Sequence, residues 1–303
     1  MFAPPAPIQT RVFARLPDSL RRSGQASAWT AARSHRDVHS FLEGPSFDRE
    51  GNLYCTDIPF GRIFRVSPDG QFTVVAEYDG EPNGLKIHRD GRLFVADHRR
   101  GLLAIDPASG RIETVLDRAY GEGFRGLNDL IFASNGDLYF TDQGQSGMQD
   151  LSGRLYRLRA GGELECVLDG MPSPNGLALS ADESTVYVNL TRGNAVWKAP
   201  LDKHGRASKV GVFLHLNGGT GPDGLAVDES GNLAIAHPGM GSVWVFSARG
   251  EPLYRILSCA GERPTNLAFG GPDNRTLFIT ESESGSILCA DLPAPGLRLY
   301  SHQ

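Results

Sequence analysis

No run of apolar residues in this chain approaches membrane-spanning length, so a transmembrane helix is not expected. The opening stretch MFAPPAPIQTRVFARLPDSLRRSG has no apolar core behind a basic start, so no secretory leader is expected either. No block of Lys or Arg stands out, and 30 basic residues against 35 acidic ones leave a net charge of −5. That balance argues against a nucleic-acid partner and against an anionic membrane surface. Cysteine is scarce, with four residues at positions 55, 166, 259 and 289 and no CxxC pair. Cys55, Cys166 and Cys289 fall in apolar strand patterns and read as core thiols of a reducing compartment, which points to the cytoplasm. The chain also lacks a G-x-S-x-G elbow, a P-loop and a dinucleotide fingerprint, which disfavours a triad hydrolase and nucleotide chemistry.

Glycine and proline are plentiful, 37 and 19 residues, and they fall between short strand patterns. One phrase returns six times: a turn, an apolar strand, a polar turn with Gly, and a second apolar strand. Its copies are EGPSFDREGNLYCTD, PNGLKIHRDGRLFVAD, LNDLIFASNGDLYFTD, PNGLALSADESTVYVN, PDGLAVDESGNLAIAH and PTNLAFGGPDNRTLFITE. Further alternating segments such as RIFRVSPDG and QFTVVAEY supply a third and fourth strand to each unit. A period near 45 residues with four strands per unit predicts an all-β, six-bladed β-propeller with four-stranded antiparallel blades, formed by residues 1–303 as one domain. The sixth unit lacks a fourth strand, and TRVFARL near residues 10–16 is the expected donor that closes it. The placement of residues 17–40, with Trp29, His35 and His39, is left open.

At one register of the repeat, the residue entering the first strand bears an oxygen each time: Glu43, Asn83, Asn128, Asn175, Asp223 and Thr265. The spacings are 40, 45, 47, 48 and 42 residues, and in a propeller equivalent positions form a ring around the central channel. Any one Asn or Asp beside Gly is explained as a turn residue. Two carboxylates and three amides in one ring instead describe a pocket for a hard divalent cation. Asp129, where four other units have Gly, is a candidate partner that orients Asn128. Loops after the second strands should converge on the same mouth; they carry Asp57, Asp97-His98-Arg99-Arg100, Asp142-Gln143, Thr191-Arg192, His237 and Glu281-Ser282. The longest, QGQSGMQDLSG, is a candidate lid. His98, His237 and Arg125 are candidate substrate contacts, with a solvated rim side chain as the plain alternative for each.

The order and spacing of EGPSFD, LNDL, SPNGLALS, PDGLAVDESGNL and TNLAFGGPDNRTLFIT resemble the gluconolactonase, senescence-marker-protein (regucalcin) and luciferin-regenerating-enzyme family from about residue 40 to 290. The resemblance implies a six-bladed propeller with one divalent cation in its channel, and for many members hydrolysis of sugar lactones. It implies metal ligands at Glu43, Asn175 and Asp223, with Asn128 on metal or substrate and Asp223 as proton acceptor. It leaves Asn83 and Thr265 as channel lining. Two positions depart from the animal members: Gly126 stands where they have Arg, and Gln145 near where they have Glu. The expected activity is a metal-dependent lactonase acting on a small-molecule aldonolactone, with Ca²⁺ favoured over Mg²⁺, Mn²⁺, Zn²⁺ or Fe²⁺. Rivals are an aryl-ester, phosphotriester or aromatic-lactone hydrolase on the same ion, and a propeller that only binds. Oligomeric state is not legible in the sequence.

Overall fold

The computed structural model describes residues 2–32 and 38–303; His35 lies outside them. Six sheets are arranged as a six-bladed β-propeller. The first four blades are sequential antiparallel sheets, running from Leu42–Phe47 through Phe72–Glu77, Pro82–Ile87 through Ile112–Leu116, Leu127–Phe132 through Leu164–Met171, and Pro174–Leu179 through Gly211–His215. Blade five runs from Leu225–Val227 to Pro252–Leu257, and blade six from Pro264–Gly270 to Ser286–Asp291. The first strand of each blade packs against that of the next, and the sixth against the first, so the innermost strands wall the channel.

The expected closure is present. Arg11–Arg15 pairs antiparallel with Ser286–Asp291 and gives blade six its fourth strand. A second N-terminal strand, Ala6–Gln9, was not anticipated: it pairs parallel with Pro252–Leu257 and adds a fifth strand to blade five. One chain segment thus covers two sheet edges. Among the described residues no helix is long and apolar enough to cross a membrane. All four cysteines are free; Cys55 and Cys289 are buried, whereas Cys166, expected in the core, is exposed on an outermost strand.

Local chemistry explains the turns. In blade one the Asp48 carboxylate accepts hydrogen bonds from the Glu50 and Asn52 amides, and Gly51 takes φ +82°. Blade five repeats this with Asp228, Ser230, Asn232 and Gly231 at φ +77°. Left-handed backbone at these points suits only Gly without strain, so the sequence marks each turn.

The acids that end the second strands have a structural role. Asp57 accepts from the Phe41 amide at 2.7 Å, Asp97 from Glu81 at 2.9 Å, Asp142 from Gly126 at 2.8 Å and Glu281 from Arg263 at 3.1 Å. Each pins the loop leading into the first strand of its own blade. Asp57 is buried with Arg62, whose Nε and Nη2 donate at 2.8 and 2.5 Å. Burial outweighs that guanidinium and pushes Asp57 up to about 6. Removing one partner strands a buried charge. Arg62→Met should therefore lower the unfolding free energy by about 3–5 kcal/mol, read from urea melts; the double variant Arg62→Met/Asp57→Asn should recover part of the loss.

Residues 17–32 pack on the mouth side. Trp29 lies against Phe41 with ring centroids 5.3 Å apart, Arg62 Nη1 donates to the Leu20 carbonyl, and Arg21 Nη2 donates to the Ser284 carbonyl. At the opposite end the C-terminal segment floors the channel. Leu297 and Leu299 close a small apolar cavity with Ile131, Ala178, Ala226 and Ala268, and Tyr300 stacks on Phe132 at 5.2 Å.

Candidate active site in the central channel

The ring register places its acids and amides at the wall of the channel. Glu43 is 3 % exposed and Asn128 and Asn175 are 5 % and 6 % exposed, while Asp223 is half-buried. Glu43 Oε2 accepts from its neighbour's amide at Gly44 (2.7 Å) and from Asn266 Nδ2 (2.9 Å). Burial, then the charge of Asp129, raises Glu43 to about 7 against the opposing bonds from Asn266 and Gly44. Asp223 is held well above the usual carboxylate range by burial and by Glu43; a hydrogen bond from Asn175 and the Arg192 guanidinium oppose this. Acids from blades one, three and five therefore feel one another across the axis, and the Asn175 amide of blade four favours the ionised form of Asp223.

The backbone of the ring is fixed from the neighbouring blade. Thr56 Oγ1 donates to the Asn83 carbonyl at 2.7 Å, Thr141 Oγ1 to Asn175 at 2.9 Å, and Asn189 Nδ2 to Asp223 at 2.7 Å. Gly at the next position lets the strands approach: a Cβ on Gly176 would sit 2.4 Å from the Asp223 carbonyl. Thr265 belongs to this scaffold and not to the channel lining expected of it. Its hydroxyl lies 2.7 Å from the Leu42 carbonyl and 2.9 Å from Thr280 Oγ1.

Two of the loop residues expected at the mouth, Gln143 and Thr191, lie one position after the second strands and hold the ring amides, a role the sequence reading did not assign them. Gln143 Oε1 accepts from Asn128 Nδ2 at 3.0 Å, and its Nε2 donates to Ser173 Oγ at 3.0 Å. Thr191 Oγ1 accepts from Asn175 Nδ2 at 3.1 Å and donates to the Pro222 carbonyl at 2.8 Å. The shared register was the available signal, since each stands over the ring amide of its own blade.

Residues 41–283 match the sequence profile described as the SMP-30/Gluconolactonase/LRE-like region. The chain belongs to that family. A gluconolactonase of Zymomonas mobilis is 31% identical over 274 residues, covering 80% of this chain and 76% of the relative. The lactonase drp35 of Staphylococcus epidermidis is 31% identical over 267 residues, covering 82% of each. Among solved structures, a calcium-binding regucalcin from Agrobacterium tumefaciens superposes with a TM-score of 0.79 at 22% identity over 99% of both chains. A gluconolactonase from Xanthomonas campestris gives 0.75 at 24% identity over 97% of this chain and 99% of that one.

Within this SMP-30/gluconolactonase-like chain, Glu43, Asp223, Asn128 and Asn175 share the ring register and offer oxygen donors of the kind that suits a hard cation, and neighbouring acids already disfavour the ionised forms of Glu43 and Asp223. Among the described residues no three His, Cys, Asp or Glu side chains form a metal cage, so amides must complete any coordination. Asp129, expected to orient Asn128, instead accepts from Asn266 and from the Leu130 amide.

The rim residues divide. His98 is half-buried, and a Cβ on Gly126 would lie 2.2 Å from its Cε1, so the imidazole fills the space that a side chain at 126 would take. Arg125 and Gln145 are exposed on neighbouring loops. Ser146 ties the root of the long loop to Ser173, while Met148 at its tip is 69% exposed. His237 is not brought to the mouth. It is 1% exposed; its Nε2–H donates to the Gly218 carbonyl at 3.0 Å and its Nδ1 accepts from Trp244 Nε1 at 3.2 Å. Burial holds its pKa below the usual 6.5. The unfolded chain therefore takes up the proton first, and stability contributed above that value is lost as the pH falls below it. The Tm of wild type should drop more steeply than that of His237→Gln between about pH 6.5 and 5.

Proposed function

We propose that this chain hydrolyses the ester bond of sugar lactones to the hydroxy acid, using one divalent cation, Ca²⁺ by preference, held by Glu43, Asn175, Asp223 and Asn128. What supports this reading is the shared ring register of Glu43, Asn175 and Asp223 on three different blades, together with the influence of Glu43 and of the Asn175 amide on the Asp223 carboxyl. Family membership and relatives named gluconolactonase and lactonase support it. Bound there, the cation would supply Lewis-acid stabilisation of the negative charge that develops on the carbonyl oxygen.

The chain's own groups do the rest. Asp223 accepts a proton from water as its oxygen adds to the lactone carbonyl carbon, then returns it to the alkoxide released when the ring C–O bond breaks. General base catalysis of this kind contributes about 10²–10⁴-fold. Glu43 is held by two donors on Oε2, and Asn175 is fixed by Thr191, so neither must reorganise during the reaction. His98, Arg125 and Gln145 stand at the mouth to orient the polyol part of the substrate. Free thiols throughout fit a cytoplasmic enzyme.

The test is a substrate panel of sugar lactones, dihydrocoumarin and a paraoxon-like triester, run on metal-free and Ca²⁺-restored protein. Metal-dependent turnover of the aldonolactones above the other two is the expected outcome. Preference for dihydrocoumarin or the triester would move the assignment to the rival ester-hydrolase reading.

A further inference from the structure

Below the ring, the next channel-facing register is occupied by Ser46, Lys86, Ile131, Ala178, Ala226 and Ala268. Five of these are small or apolar, and the floor beneath them is apolar too. Lys86 is the single charge in the layer, and its side chain is 11% exposed. Its ammonium donates to the Leu85 carbonyl at 3.2 Å and lies 4.0 Å from Asp129 Oδ1. A buried ammonium is costly to retain unless it is paired.

Its pairing leads to the site. Asp129 Oδ1 accepts from the Leu130 amide at 2.8 Å, and Asp129 Oδ2 accepts from Asn266 Nδ2 at 3.2 Å. The same Nδ2 donates to Glu43 Oε2 at 2.9 Å, while Asn266 Oδ1 accepts from the Leu267 amide at 2.8 Å. That last bond fixes which end of the amide faces the acids. Glu43 Oε2 is thereby spoken for twice, and Oε1 takes no hydrogen bond from the described residues. Glycine supports the arrangement at two points: a Cβ on Gly84 would meet Asp129 Oδ1 at 2.4 Å, and one on Gly224 would meet Asn266 Oδ1 at 2.2 Å.

We propose that Lys86 is a positioning residue: a built-in cation beneath the ring that anchors Asp129 and, through the Asn266 amide, fixes which oxygen of Glu43 is left for the channel. The chain Lys86, Asp129, Asn266, Glu43 crosses blades two, three, six and one, so it also locks the relative placement of four blades at the hub. It rests on the reading of Glu43 as a functional ligand, but its geometry can be tested without that reading.

The test compares wild type with Lys86→Met, which keeps an unbranched side chain of similar length without the charge, and with Asn266→Leu, which breaks the relay one step later. Crystals of metal-free Lys86→Met should show the Glu43 carboxylate released from Asn266. Calorimetric titration of metal-free protein with Ca²⁺ should show a Kd at least about tenfold weaker for both variants, and lactone hydrolysis should fall in kcat with KM little changed. The double variant should be no worse than the worse single one, as expected of steps in one relay. The proposal is overturned if Lys86→Met lowers only Tm while Glu43 geometry, Ca²⁺ affinity and kcat stay as in wild type. Tighter Ca²⁺ binding in Lys86→Met would also overturn it, since the ammonium would then act only by repelling the ion. A wild type that binds no Ca²⁺, yet releases Glu43 on losing Lys86, would sink the metal assignment and leave the relay standing.

Discussion

Asp223→Asn should give a folded propeller that hydrolyses lactones about 10²–10⁴-fold more slowly than wild type, with the loss in kcat. The substitution keeps the shape of the side chain and an oxygen with which Asn175 can still pair, so the ring need not rearrange. It removes the proton acceptor. It also removes one negative charge from the site, which would weaken a bound cation. Two measurements separate these effects. Saturating Ca²⁺ should not restore turnover to Asp223→Asn if the carboxylate takes the proton, whereas it should restore much of the activity of a variant damaged only in binding the ion. Glu43→Gln provides the contrast: it loses affinity for the ion first, and high Ca²⁺ should recover part of its rate. Unimpaired hydrolysis by Asp223→Asn would remove the residue from the chemistry.

Stripping divalent ions should abolish turnover and also soften the hub. Glu43 and Asp223 are both held above the usual carboxylate range by burial and by the acids around them, so a cation among them relieves repulsion present only in the folded chain. An ion that binds the native state alone stabilises it by RT ln(1 + [L]/Kd), about 2.7 kcal/mol at a hundredfold excess over Kd. In a chain of this size that is roughly 5 °C in Tm. Calorimetric scans with a chelator, then with Ca²⁺ added back, should show the shift and its reversal. Equal Tm values with and without divalent ions, together with unchanged lactone turnover, would refute a resident ion.

The contrast between the legible and the hidden parts of this protein is physical. The common register of Glu43, Asn175 and Asp223 was legible because a propeller converts sequence period into spatial ring. The closing strand Arg11–Arg15 was legible as well, since the sixth unit lacked a partner for Ser286–Asp291. Asn266 was not, because its role depends on reaching Glu43 across 223 residues of sequence, and by itself it reads as a turn residue. Lys86 carries no local signal either, since nothing in an alternating strand marks which lysine turns into the channel. The acids ending the second strands were on the right face, but loop amides consume them, and no pattern in the sequence separates a staple from a ligand. His237 failed for a related reason: Trp244, on the adjacent strand, takes one nitrogen, and the Gly218 carbonyl takes the other. The parallel pairing of Ala6–Gln9 had no local signal, because blade five was already complete without it.

The tail that packs Leu297, Leu299 and Tyr300 under the blades has a kinetic corollary. It turns the hub into a cul-de-sac, so reactant and hydrolysed acid must share one doorway. A newly made hydroxy acid has to leave before the next lactone can arrive, and its carboxylate lingers beside whatever positive charge the hub holds. Progress curves should therefore bend early as acid accumulates, and added hydroxy acid should raise the apparent KM without altering the limiting rate.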